Sequence, residues 1–400
     1  MTPWLSIIGV GAEGIGELSS AARALIDNAE ILIGGSRHLA MIPADHPAER
    51  RGWTSPISET VSEMKALEGR RVVVLATGDP MSYGIGVTLG RAFGRDTMTV
   101  LPAPGAFSLA AARIGWALHE TDCLTLHGRP LATLNLFVRP GARLLILSEN
   151  GETPAQIAAV LCERGYETSR LTVLENMGAD DEAIRTGQAD SWDNTPAADL
   201  NTVAVDCVAT DGALAYSRVA GLPDDAFRND GQLTKRVMRA ATLSALAPQP
   251  RELLWDIGAG CGSIAIEWMR AGGRAIAVEH RADRSSLIAH NATVLGTPNL
   301  EIITGRAPEA MADLPQPDAV FIGGGISAAT IAENCWAALR PHGRLVANAV
   351  TLEGESVLLS LHSRWGGSLT RISASEAAPV GRLHGWQPLR TVTQFAAVKP

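Results

Sequence analysis

Short apolar runs recur along the chain, each ending on glycine, proline or an acid and leading into a stretch with helical spacing. Trp4 to Val10 is the first run; Gly11-Ala12-Glu13-Gly14 turns the chain, and a helix is predicted from about Ile15 to Asn28. Ile31-Leu32-Ile33 is a second strand, followed by Gly34-Gly35-Ser36-Arg37. Arg71 to Ala76 runs into Thr77-Gly78-Asp79-Pro80-Met81-Ser82-Tyr83-Gly84, and Met98 to Leu101 into Pro102-Ala103-Pro104-Gly105-Ala106-Phe107-Ser108. From about Trp116 a second set begins, with strands at Cys123–Leu126, Leu144–Leu147, Leu171–Asn176 and Thr202–Val205. Thr153 and Pro154 read as the N-cap and first residue of a helix reaching about Arg164. The polar, turn-rich residues 178–201 suit hairpins at a sheet edge.

Residues 209–225 carry turn chemistry and read as a linker. Beyond it, Gln232 opens a helix with Leu233, Val237, Met238, Ala241 and Leu246 on one face. Glu252 to Ile257 is then a strand, and three alternate glycines lead into another helix. Strands at Ala275–Val278, Leu300–Ile303, Ala319–Ile322 and Arg344–Ala347 alternate with helices near 282–295 and 327–340. Leu369–Ala374 and Thr391–Val398 read as one late hairpin at the sheet edge. The pattern is α/β, with doubly wound sheets and ligand crevices at the carboxyl ends of the strands.

Composition narrows the function. A chain of 400 residues exceeds one ordinary core, so more than one domain is expected. A net charge of −8 without a Lys/Arg-rich run excludes a non-specific nucleic-acid or anionic-membrane binder. The five cysteines, Cys123, Cys162, Cys207, Cys261 and Cys335, stand at no metal-binding spacing, so no metal is expected and the thiols read as reduced. No signal-peptide pattern or membrane-length apolar run is found, which predicts a soluble, cytoplasmic protein.

Two glycine loops carry the candidate chemistry. Gly9-Val10-Gly11-Ala12-Glu13-Gly14 has dinucleotide spacing, yet the next strand lacks the acid that would bind a ribose, which weakens an NAD-dependent dehydrogenase reading. Asp256-Ile257-Gly258-Ala259-Gly260-Cys261-Gly262 has the D-x-G-x-G-x-G form. Twenty-three residues after Asp256, Glu279 closes the next strand, where two carboxylate oxygens can accept both ribose hydroxyls. Ser263 stands where the NAD fingerprint has its last glycine, so S-adenosylmethionine (SAM) is favoured. On this reading Asp256 faces the sulfonium and amino end through water, and the Ala307 backbone lies near the adenine. Thr234 is a candidate donor to a ligand carboxylate.

Residues 1 to about 208 resemble the tetrapyrrole methylases. The carrying residues are Ile8-Gly9-Val10-Gly11, Thr77-Gly78-Asp79-Pro80, Pro102 to Ser108, and Ser148-Glu149-Asn150-Gly151-Glu152-Thr153-Pro154. The resemblance implies two α/β subdomains, about 1–115 and 116–208, holding SAM, with Gly9, Gly11, Gly78, Asp79, Met81 and Ser108 as pocket residues. Residues 226–400 are similar to the decarboxylating precorrin methyltransferases, a Rossmann-like class I sheet. Here the resemblance is carried by Phe227 to Lys235, Trp255 to Glu267 and Phe321-Ile322-Gly323-Gly324-Gly325, and it adds Gly323 to the cofactor residues. Together the halves imply two SAM sites and two methylations of precorrin-6B, at C5 by the first half and at C15 by the second. Loss of CO2 from the C12 acetate, giving precorrin-8X in cobalamin biosynthesis, is assigned to the second half.

Carbon methylation asks mainly for alignment and exclusion of water, so no acid–base triad is expected. The implied partner is an anionic tetrapyrrole, for which Arg236, Arg239, Arg306 and Arg382 are candidate carboxylate ligands. His127, His280 and His384 are given no catalytic role. A homo-oligomer is expected. The alternative of a SAM-dependent RNA methyltransferase is opposed by the acidic charge.

Overall fold

The computed structural model describes residues 3–328 and 330–400. It falls into two compact units: one runs to Leu131 and continues over Val138–Leu214, and the other comprises Ala132–Phe137 and Ala215–Pro400. Among the described residues no helix is long and apolar enough to cross a membrane.

The first unit begins with β1 (Leu5–Val10), β2 (Ile31–Gly34), β3 (Glu49–Gly52), β4 (Val72–Thr77) and β5 (Met98–Leu101). They form a parallel sheet in the order β3-β2-β4-β1-β5. Alternate residues of β1, β2 and β4 pack on opposite faces. Ile8, Val10, Leu32, Val73 and Leu75 meet Ala22 and Ile26 of the helix Ser20–Asp27. Leu5, Ile7, Ile31, Ile33, Val72 and Val74 meet Val61 and Met64 of the helix Ile57–Met64 and Leu89 of the helix Ile85–Phe93. The helix that follows β1 and the helix that follows β4 therefore lie on opposite faces, which makes the β1/β4 boundary a topological switch point.

Strands β6 (Asp122–Thr125), β7 (Arg143–Leu147), β8 (Arg170–Glu175), β9 (Ala183–Gln188) and β10 (Asn201–Asp206) build a second sheet, ordered β6-β7-β10-β8-β9. Only β6 and β7 pair in parallel. The helix Ala106–Ile114 covers part of one face through Phe107, Ala110 and Ala111.

The second unit holds β11 (Leu253–Ile257), β12 (Arg274–Glu279), β13 (Glu301–Thr304), β14 (Ala319–Ile322), β15 (Arg344–Ala349), β16 (Ser368–Ile372), β17 (Ser375–Val380), β18 (Leu383–Pro388) and β19 (Val392–Val398). Seven of these form one sheet, β13-β12-β11-β14-β15-β19-β16, in which the first five are parallel and β19 is antiparallel to both its neighbours. The helix after β11, Ser263–Arg270, packs on one face, and the helix after β14, Ile331–Ala338, on the other. A second switch point thus opens between β11 and β14.

Several local expectations change. The two late strands, β16 and β19, do pair antiparallel at the sheet edge, but β17 and β18 form a separate two-stranded hairpin inserted between them, and β16, not β19, is the outermost strand. The predicted helix from Ile15 divides into a 3-10 turn, Gly14–Glu17, and a helix whose N-cap is Ser19, its side chain accepting from Ala22 N. Thr153 is not the N-cap of its helix. Its hydroxyl accepts from the backbone of Glu149 and Asn150, completing the preceding turn, and Glu152 takes the cap position. The helix expected from Gln232 starts at Arg236. Upstream, the Asn229 and Asp230 side chains accept from the backbone of Gly231 and Gln232 and hold that segment in turns.

Candidate active sites

In the second unit, Gly258, Gly260 and Gly262 all take left-handed backbone angles, with φ of 71°, 62° and 81°. They do different work. A Cβ on Gly258 would stand 2.9 Å from the Gly324 backbone, and one on Gly262 would stand 2.8 Å from Ile288 Cγ2. At Gly260 the nearest atom would be Gln232 O at 3.9 Å, so this is the glycine whose open side a ligand can approach. Two backbone bonds, Gly258 N and Ala259 N to Val278 O, tie the loop to β12. Gly323 is exposed at the end of β14, and its N–H donates to Ile257 O.

Glu279 is buried beneath this loop. One carboxylate oxygen accepts from Gly260 N at 2.9 Å, and the other accepts from Arg281 N at 3.0 Å with His280 Nδ1 at the same distance. Carboxylate lone pairs remain for a ligand. Asp256 departs from its expected place facing a ligand. It is almost fully buried, and its Oδ2 accepts from Ala265 N at 3.0 Å, so it caps the following helix. Its Oδ1 meets no partner in the described residues. Burial pushes the carboxyl up to about 7, against the lowering effect of the Ala265 N–H and with a further rise from Glu279. Cys261 is buried, and desolvation moves its thiol up to about 11. Ala307 is half-buried just after β13, where Gly305 N donates to Glu279 O.

The entry segment Phe227–Lys235 is fastened beside the loop by residues that the sequence did not single out. Asn291 accepts from Arg228 N and donates to both Arg228 O and Cys261 O, at 2.9–3.0 Å. Arg284 donates to Asp230 and Gln232. Both residues lie on the helix Ala282–Val294, on the side of the buried Ile288. A polar residue at helical spacing from an apolar one was the available signal. Thr234 is half-buried, and its carbonyl accepts from Arg239.

Arg239 is a correction. It is fully buried, paired with Glu267 and Asp224, and donates to the Leu222 carbonyl. Glu267 also accepts from Gly221 N and Leu222 N. With its donors consumed in the core, Arg239 does not hold substrate at a pocket mouth. Arg236 and Arg306 are exposed, and Arg382 is exposed at the tip of the β17–β18 hairpin, near His384 in sequence.

In the first unit, three loops interlock at the β1/β4 switch point. A Cβ on Gly9 would fall 1.8 Å from Gly78 O and 2.6 Å from Ala103 N, while one on Gly78 would meet Gly105 Cα at 3.1 Å. Glycine is required at these two positions by loop-to-loop packing. Gly11 faces the Glu13 carboxylate, 2.1 Å from the Cβ position. Asp79 Oδ1 accepts from Met81 N at 2.8 Å, which closes a tight turn and leaves Met81 half-exposed. Ser108 is exposed in the first turn of its helix. His127 Nδ1 lies 3.3 Å from Glu149. Among the described residues no three His, Cys, Asp or Glu side chains gather as a metal site.

Comparison with known proteins gives these sites their family. Residues 5–193 match the tetrapyrrole (corrin/porphyrin) methylases, and residues 225–399 match the precorrin methyltransferase domain. A Sinorhizobium protein named precorrin-6Y C(5,15)-methyltransferase [decarboxylating] is 45% identical over 401 residues, covering 100% of this chain and 97% of that protein. A Mycobacterium tuberculosis protein of the same name is 38% identical over 395 residues, covering 98% and 99%. The crystal structure of the C-terminal domain of the Rhodobacter capsulatus precorrin-6Y C5,15-methyltransferase is 50% identical and covers 46% of this chain and 100% of that domain, with a TM-score of 0.44. On identity sustained across the whole length, the chain belongs to the family of decarboxylating precorrin-6Y C(5,15)-methyltransferases.

Proposed function

We propose that this chain carries out two SAM-dependent carbon methylations of a precorrin, with C5 assigned to residues 1–208 and C15, with loss of CO2 from the C12 acetate, to residues 226–400. Precorrin-6B is the proposed substrate and precorrin-8X the product. Residues 209–225 join the two parts. The observation that carries this reading is that two unrelated parallel sheets in one chain each present glycine loops at a switch point. Identity along nearly the full length of two decarboxylating relatives supports the pairing and displaces the RNA methyltransferase and dehydrogenase alternatives.

SAM, when bound, supplies an electrophilic methyl group. In the second unit Gly258, Ala259, Gly260, Cys261 and Gly262 would hold it by backbone, with Glu279, Ala307 and Gly323 around it. In the first, Gly9, Gly11, Gly78, Asp79, Met81 and Ser108 are the proposed pocket. The protein's contribution is to place a nucleophilic carbon in line and to exclude water. In each transfer the methyl–sulfur bond of SAM would break as the carbon–carbon bond forms, S-adenosylhomocysteine would leave, and the methylated carbon would release a proton. The conjugated macrocycle can take up the electron pair left by CO2. Arg236, Arg306 and Arg382 remain available to steer an anionic tetrapyrrole, since each is exposed. A homo-oligomer belongs to the same proposal. The hairpin leaves Val380, Leu383 and Trp386 exposed, and light scattering of the purified chain tests it.

The division of labour is tested in the full chain by disabling one half at a time, with Gly9→Val or Gly260→Val, and weighing the products formed from labelled SAM and precorrin-6B. Gly9→Val should still add one methyl group and release CO2. Gly260→Val should abolish decarboxylation. Decarboxylation that survives in Gly260→Val and disappears in Gly9→Val would reverse the assignment.

A further inference from the structure

The turn Leu126–Arg129 and the residue Tyr83 are used by nothing described above, yet both are held in place with care. Tyr83 has φ of 58°, a conformation that a bulky aromatic residue rarely adopts. Its hydroxyl donates to Cys123 O at 3.1 Å, and its ring meets Phe107 edge-on, with centroids 6.0 Å apart. Despite these anchors Tyr83 is 51% exposed, as is its neighbour Met81 at 50%. The chain therefore maintains a strained backbone position around a half-exposed aromatic ring, and strain of this kind clusters at functional sites.

Arg129 stands over that ring, with its guanidinium carbon 5.6 Å from the centroid. The turn beneath it is fixed three ways. Arg129 N donates to Leu126 O, His127 N donates to Thr125 Oγ1, and the Glu149 carboxylate takes the Gly128 N–H. Gly128 supplies the left-handed angle, φ 65°. Three other arginines of this unit end on carboxylates: Arg113 on Glu182, Arg139 on Asp122 and Arg185 on Glu175. No carboxylate or carbonyl accepts from Arg129 among the described residues, and its side chain is exposed. A guanidinium held against an aromatic face keeps its edge of N–H donors free and loses little freedom when it binds a carboxylate.

We infer that Arg129, held by Tyr83, recognises a carboxylate of the tetrapyrrole at the first unit's site and sets the affinity of that site for its substrate. Tyr83 is the positioning residue. The inference rests on the proposal that the first unit methylates a polycarboxylate macrocycle. It adds a recognition element outside the glycine loops and outside the arginines considered from the sequence.

The test uses the full chain with Arg129→Gln, Arg129→Lys and Tyr83→Leu. Each variant is given precorrin-6B and SAM, and the two methyl transfers are followed separately by product mass; binding of S-adenosylhomocysteine is measured by calorimetry. Arg129→Gln should raise the KM of the first unit's transfer about 10- to 100-fold, as expected for a lost charge-assisted pair. Its kcat and its S-adenosylhomocysteine affinity should stay within about twofold, and the second unit's decarboxylating transfer should be unchanged. Arg129→Lys should recover part of the loss, and Tyr83→Leu should raise KM less than Arg129→Gln does. Added salt should raise the wild-type KM and leave that of Arg129→Gln nearly flat. An unchanged KM in Arg129→Gln, or a parallel loss of S-adenosylhomocysteine affinity, overturns the inference while leaving the proposed function intact. A wild-type chain whose first unit transfers no methyl group overturns both.

Discussion

Arg239 separates a sequence expectation from a structural one by experiment. As a substrate ligand, its removal would weaken tetrapyrrole binding and spare stability. The structure predicts the opposite order of effects. The guanidinium is fully buried, bonded to Glu267, Asp224, Thr234 O and Leu222 O, and lies 4.8 Å from the Phe227 ring centroid. Arg239→Met keeps most of the aliphatic volume and strands the Glu267 carboxylate, whose side chain is 2% exposed, with only the Gly221 and Leu222 N–H groups. Breaking one side of a buried pair costs about 3–5 kcal/mol. For a unit of this size that corresponds to a fall in Tm of about 6–20 °C. Scanning calorimetry on the full chain should show the transition of the second unit moving and that of the first unit staying. Arg239→Met/Glu267→Met should recover most of the loss, because the uncompensated charge is gone. The control, Arg236→Ala at an exposed position, should change stability by less than about 0.5 kcal/mol. A Tm for Arg239→Met within about 2 °C of wild type, together with a raised tetrapyrrole KM, would refute the reasoning.

Three further outcomes are expected. The Asp256 carboxyl sits near 7 in the folded chain against an ordinary 3.8, so between those values the native state holds the extra proton. Stability of the second unit from this group therefore falls as pH rises from about 4 through 7, by on the order of a few kcal/mol, and is level above that. Asp256→Asn should remove that slope in calorimetric scans at pH 5 and pH 8. Gly258→Ala puts a Cβ 2.9 Å from the Gly324 backbone at a positive φ, so the second unit should lose about 1–3 kcal/mol and its decarboxylating transfer, seen by urea titration and product mass. Thr242→Val leaves the Asn348 and Gln394 amides without their shared acceptor and should cost about 1–3 kcal/mol by the same titration.

Most strands were legible because they are continuous apolar runs closed by glycine, proline or an acid. That is the signature of strands buried on both faces. β3 was missed because Glu49-Arg50-Arg51-Gly52 has no such run. It is an edge strand, and its charges suit an edge. The class of both glycine loops was visible, but not the division of labour within them. Gly258 and Gly262 are required by close neighbours, Gly9 by the Gly78 and Ala103 backbone and Gly78 by that of Pro104 and Gly105, and only contacts between distant residues reveal this. Arg239 was misread for a related reason. It falls on the buried side of its helix, among Met238, Thr242 and Leu243, but its partner Glu267 lies 28 residues away, and a charged side chain without a visible partner reads as surface. Asn291 and Arg284 escaped notice because their helical spacing from Ile288 says nothing of the loop they hold, whose residues lie 63 and 54 positions away.

The position of β19 bears on how the second unit can be made on a ribosome. Five parallel strands, β11 to β15, can assemble as they emerge. β16 follows, but it has no partner until β19 arrives about 20 residues later, because β19 is the strand that lies between β15 and β16. Until then the edges of β15 and β16 that β19 will cover stay open, each able to capture a neighbouring nascent chain. The β17–β18 hairpin is local and can close by itself in that interval, drawing the end of β16 toward the start of β19. On this view the hairpin shortens the search that completes the sheet. Slowing its turn would show first as co-translational aggregation, before any loss of activity in the molecules that finish folding.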